Sequence, residues 1–191
     1  MTGFRIAALA LPAAAAFLAP ALWKWRSCWK EPAIGHAALL AVVLAWGAIA
    51  GAPASSLLAV AALATGFALF ASGLYLAAGQ VASGLSVVLL GATLFLAPSV
   101  VRESADRGRA DQAQSRLDFL LAVNPWAVLA AGSFNVDLVR VPSIYRTHMA
   151  DYVEARPPGW AGVAAGYAAA GLLLITAAMI ARRLRKPKSD S

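Results

Sequence analysis

The residues best suited to chemistry cluster between the last two apolar stretches of the chain. His148, Asp151, Tyr152 and Glu154 recur at helical spacing, so that one face could carry a proton or hold a metal. A solvated amphipathic helix accounts for the same pattern, and that reading is adopted. His36, the other histidine, stands at the start of an apolar run, where imidazole ligation of a pigment or haem competes with simple solvation at a membrane surface. Solvation is the expectation, with no cofactor and no metal. No phosphate-binding G-x-x-x-x-G-K-[ST] loop, H-E-x-x-H pair, C-x-x-C pair or G-x-S-x-G elbow occurs. The sequence therefore predicts a protein that is not an enzyme. The single Cys28 excludes an internal disulfide.

The elements around these residues are dictated by hydropathy. Residues 32–101 form a run of 70 positions without Asp, Glu, Lys or Arg, in a chain of 191 residues that is 61% hydrophobic. The mean hydropathy is +0.70. A hydrocarbon layer of ~30 Å takes about 20 helical residues per crossing, so the run holds three crossings. Backbone polar groups have no partners in lipid, and runs this long do not suit the short strands of a barrel. The fold class predicted is all-α, a polytopic helical membrane protein built as one domain over residues 1–191.

Turn residues divide the apolar sequence. Gly51, Ala52 and Pro53 mark one break, and Gly79 with Gln80 another, which gives spans near 36–52, 54–77 and 80–101. The runs 4–22 and 160–181 bring the total to five transmembrane helices. Residues 102–159 form an outer segment. Within it Leu117–Phe134 is apolar but broken at Asn124 and Pro125, and it is read as a re-entrant or interfacial helical pair.

Charge orients the helices. Lys24, Arg26 and Lys30 against Glu31 leave a first loop of +2, and five basic residues against Asp190 give the tail 182–191 a charge of +4. Residues 102–159 hold seven basic and seven acidic side chains, a balance of zero. Basic loops stay in the cytoplasm, so the tail and the 24–31 loop are inner and the 102–159 segment is outer. Trp23, Trp25 and Trp29 would anchor the inner interface, and Trp126, Tyr145, Tyr152 and Trp160 the outer one. A cleaved signal peptide over the first apolar run would put Lys24 outside against this pattern, so a retained first helix is expected. The net charge of +7 belongs to these loops and implies no nucleic-acid partner.

Gly47 with Gly51, and Gly162 with Gly166, are G-x-x-x-G pairs that suit close helix packing. Polar residues inside the spans are Ser, Thr, Gln and Tyr only, which argues against an ion-coupled transporter with a buried carboxylate. What remains is a groove for a bulky or amphiphilic substrate, a scaffold or a docking subunit.

Four features together resemble a known family. They are the segment Phe70-Ala71-Ser72-Gly73-Leu74-Tyr75 before a short inner turn, the outer stretch on Asn124 and Pro125, the polar loop with Tyr145 and Arg146, and a last helix ending Ala181-Arg182-Arg183-Leu184. Over residues 55–186 the layout is similar to permease subunits of bacterial type-2 ABC exporters. The resemblance implies short re-entrant helices before the last span, a location in the bacterial cytoplasmic membrane, a separate ATPase subunit and a second membrane subunit. Lys24, Arg26, Lys30 and Gln80 are the residues it marks for ATPase docking. The chain differs from the family in having five helices where six are usual, and in an uncharged inner turn. The alternative function is a non-catalytic accessory subunit of a respiratory or photosynthetic membrane complex.

Overall fold

A computed structural model describes residues 2–25, 30–106, 110–134 and 159–184. Seven helices account for these residues, with no strand among them: α1 (Thr2–Trp25), α2 (Lys30–Ile49), α3 (Ala54–Ala78), α4 (Gln80–Asp106), α5 (Ala110–Ala122), α6 (Pro125–Phe134) and α7 (Trp160–Leu184). The all-α class is thus observed directly. By length and composition α3 and α7 are each able to cross a membrane, and α1, α2 and α4 contribute the apolar stretches Gly3–Ala14, Ile34–Ile49 and Gln80–Thr93.

The breaks fall where the turn residues placed them. Gly51 adopts φ +74°, which a side chain would resist, and the Ala52 N–H reaches back to Gly47 O (2.9 Å) to close α2. Pro53, extended at φ −65° and ψ 149°, then starts α3, with its carbonyl taking the N–H groups of Ser56 and Leu57. A single residue, Gly79 at φ +87°, joins α3 to α4. Its N–H bonds Tyr75 O at 2.9 Å, and with one residue in the connection the chain reverses at once. The observed helices run further than the apolar runs alone. α2 begins at Lys30 where the sequence suggested 36, α4 continues through Arg102 and Glu103 to Asp106, and α7 reaches Leu184. Helical hydrogen bonding does not stop where hydropathy does, because polar residues in the end turns are solvated without cost.

The core is organised around α3. Its main partner is α7, and the pair is parallel: Gly66 lies against Ala164 and Gly73 against Gly171. Gly171 in turn abuts the backbone of Leu69 and Phe70, so a Cβ there would sit 2.4 Å from Leu69 C. This notch corrects the expectation from the G-x-x-x-G pairs. A Cβ on Gly162 or Gly166 would meet open space, and the glycines that seat α7 are Gly66 and Gly73 of α3 with its own Gly171. Gly47 does pack, against Phe4 and Leu57, whereas Gly51 serves the turn. On the other flank of α3, Phe4, Ala8 and Leu11 of α1 join Val60, Leu63 and Ala64, with Val128 and Leu129 of α6 completing the cluster.

These contacts fix the direction of each helix. Phe4 lies beside Gly47 and Leu57, so the start of α1, the end of α2 and the start of α3 share one end of the bundle, together with the start of α7. The turn at Gly79 and the end of α7, with exposed Arg182 and Arg183, mark the opposite end.

Candidate functional site

Between α4 and α7 the chain folds into the broken helical pair expected from Asn124 and Pro125. α5 ends at Ala122 and α6 begins at Pro125. The junction is a compact set of side-chain bonds. Asn124 is fully buried, and its Oδ1 accepts the N–H of Ala127 at 2.9 Å, the bond of a helix N-cap. Pro125 follows in the first helical position, where its missing N–H costs nothing. The break thus serves at once as the start signal of α6.

The other half of the Asn124 amide reaches across to α4. Its Nδ2 donates to Leu90 O (2.6 Å) and to Thr93 Oγ1 (2.9 Å), while the Thr93 hydroxyl donates to the same Leu90 carbonyl at 2.6 Å. Tyr167 of α7 gives its hydroxyl proton to Val123 O, the last carbonyl of the α5 end. Trp126 Nε1 donates to Leu9 O of α1 at 2.9 Å. Three helices from distant parts of the chain therefore grip one junction, and the side-chain polar atoms of Asn124, Trp126 and Tyr167 all have partners, as burial demands. Around it Phe67 lies 5.3 Å from the Tyr167 ring and 6.1 Å from Trp126, and Phe70 also contacts Tyr167 at 5.3 Å.

The two arms of the pair leave the junction toward the same end. α5 comes down beside α4 from the 106–110 connection, and α6 returns until Phe134 meets Phe4 edge-on at 5.7 Å, with Arg5 of α1 over the Phe134 ring. Both ends of the pair lie with the start of α1, so α5 and α6 form a hairpin whose tip touches the middle of α3 and α4.

The residues named from the sequence lie away from this junction. Gln80 is exposed at the first position of α4, and Lys24 and Lys30 belong to the last turn of α1 and the first of α2. Because α1 runs parallel to α3, and α2 antiparallel to it, these positions lie toward the Gly79 end. Arg26 lies outside the described residues, as do Cys28, His148, Asp151, Tyr152 and Glu154. His36 is half-buried in α2, with its Nε2 lacking a hydrogen-bond partner. No group of three or more His, Cys, Asp or Glu that could hold a metal occurs among the described residues. Sequence reading missed the roles of Thr93 and Tyr167, and Trp126, expected as an outer-interface anchor, instead packs on Phe67 and bonds Leu9 O inside the bundle. Asn followed by Pro is a cap-and-first-turn signature that was legible, but the α4 partners of its amide lie 31 and 34 positions away in the chain.

No family model, no curated protein and no solved structure matches this chain.

Proposed function

We propose that the chain is a permease-like subunit of an ABC-type export complex in a bacterial cytoplasmic membrane, with five spans and a cytoplasmic C-terminus. α1, α2, α3, α4 and α7 are the spans, and α5–α6 is the re-entrant pair. Membrane embedding is supported by the surface of α7. Leu172, Leu173, Met179 and Ile180 are all more than half exposed there, an apolar face of the kind that marks a membrane or protein contact. The observation that carries the export reading is the α5–α6 hairpin, which falls in the sequence between the last two spans as the permease resemblance implies.

On this reading the chain performs no chemistry of its own, and a separate ATPase supplies the energy. Lys24, Arg26, Lys30 and Gln80 are the docking residues, and a second membrane subunit covers part of the exposed helix faces. The test is purification of the native assembly in mild detergent. An ATPase should co-purify, and replacing Lys24, Arg26 and Lys30 together with Glu should release it, with topology checked in the same variant. Redox centres or pigments in place of an ATPase would reject export in favour of an accessory-subunit role.

A further inference from the structure

The depth of the hairpin places charge where a lipid-facing helix does not carry it. Leu90, which receives the Asn124 amide, stands at the middle of the uncharged part of α4, residues 80–101. Phe67, which receives Trp126, stands at the middle of α3. If α3 and α4 span the membrane, the tip lies near its midplane. α5 climbs from there at ~1.5 Å per residue, which sets Asp118 ~9 Å and Arg116 ~12 Å above the tip, inside the ~15 Å outer half of the hydrocarbon.

Both groups stay polar in this position. The Gln114 amide donates to Asp118 Oδ1 at 2.8 Å, one turn above it, and Arg116 is exposed. The buried stripe of α5 is Ala113, Leu117 and Leu121, so Gln112, Ser115, Arg116 and Phe119 project from the opposite side. Ionisable side chains at such depth line water-filled cavities or face protein, because hydrocarbon penalises them by kilocalories. Irregular backbone in the membrane is subject to the same limit.

We infer that the exposed face of α5 borders a hydrated vestibule that opens on the outer surface and descends toward Asn124. It would form the outer mouth of a path for a polar or amphiphilic solute. This rests on the membrane reading above and adds to it the side from which water enters and the helix it follows.

Cysteine accessibility tests it in the full-length protein, on a Cys28→Ser background, in intact cells. The thiolate is the reacting species and forms only where water reaches the sulfur. Glu103→Cys, at the outer end of α4, serves as the positive control and Gln80→Cys as the inner one. Val88→Cys, exposed on α4 beside the level of the tip, reports a lipid-facing site. With a charged, impermeant thiol reagent, Ser115→Cys and Phe119→Cys should react several-fold faster than Val88→Cys. Slow reaction at both, with Glu103→Cys labelled and Gln80→Cys silent, overturns the vestibule while leaving the membrane reading intact. Release of the protein from membranes by alkaline carbonate would instead remove the membrane reading itself. Labelling of Gln80→Cys but not Glu103→Cys would invert the orientation and reject an outward opening.

Discussion

Asn124 performs two separable tasks at one position, and substitutions divide them. Asn124→Ser keeps an oxygen to cap α6 but loses the amide that reaches Leu90 O and Thr93. It should cost about 0.6–2 kcal/mol, the worth of an interhelical hydrogen bond in a membrane protein. Asn124→Ala removes the cap as well and should cost roughly 0.5–2 kcal/mol more. Asn124→Asp keeps the cap, yet sets a carboxylate against the Leu90 carbonyl in a buried site, and should be the most destabilising of the three. Tyr167→Phe retains the ring contacts with Phe67 and Phe70 and loses only the bond to Val123 O, for about 0.5–1.5 kcal/mol. Equilibrium unfolding in detergent ranks all four. Equal stability of the Ser variant and the wild type would show that the Asn124 amide is not needed as a donor to α4.

Among the elements, the α3–α7 pair makes the sharpest demand on side-chain size. Gly171→Ala would force a Cβ to within 2.5 Å of the Phe70 backbone nitrogen, and Gly66→Ala would bring one to within 2.5 Å of Ala164 O. Backbone cannot step aside as a flexible side chain does, so each should destabilise by ~1–3 kcal/mol through separation of the helices. Gly162→Ala and Gly166→Ala have open space and should be neutral or slightly stabilising, since alanine lowers the entropy lost on helix formation. Thermal unfolding of the four single variants in one detergent gives the comparison. A loss at Gly162 or Gly166 comparable to that at Gly171 would indicate that the exposed face of α7 is itself packed in the native assembly. The G-x-x-x-G spacing is shared by many glycine-rich helices, and only the facing helix determines which glycine must stay small.

At the scale of the whole molecule, direction is the testable property. The start of α1, the start of α7 and both ends of the α5–α6 hairpin lie at one end of the bundle, and the end of α7 lies at the other. Cysteines placed singly at Ser104 and Ser189 on a Cys28→Ser background should therefore differ, with only the first labelled by an impermeant reagent in intact cells. Equal labelling would refute the orientation drawn from the +4 tail and the neutral 102–159 segment. Truncating the tail after Leu184 removes Arg185, Lys186 and Lys188 and leaves Arg182 and Arg183, so orientation should weaken without reversing. Dual labelling of Ser104→Cys in that truncation would measure the mixture.

The sequence by itself determined the helical class, the reversals at Gly51 and Gly79 and the break at Asn124 and Pro125. Each follows from local physics: hydropathy sustained beyond one turn, a positive φ that only glycine adopts freely, a ring that removes an N–H. The tertiary structure decided that α3 and α7 run parallel in glycine-lined contact, that Thr93, Trp126 and Tyr167 converge on the hairpin tip, and that both arms of the hairpin return to one end. Those facts were invisible in one dimension because Leu, Ala and Val on a uniformly apolar helix carry no mark of which side meets lipid and which meets protein. Close backbone approach and buried donor–acceptor geometry pick the packed side, and both exist only after the helices have met.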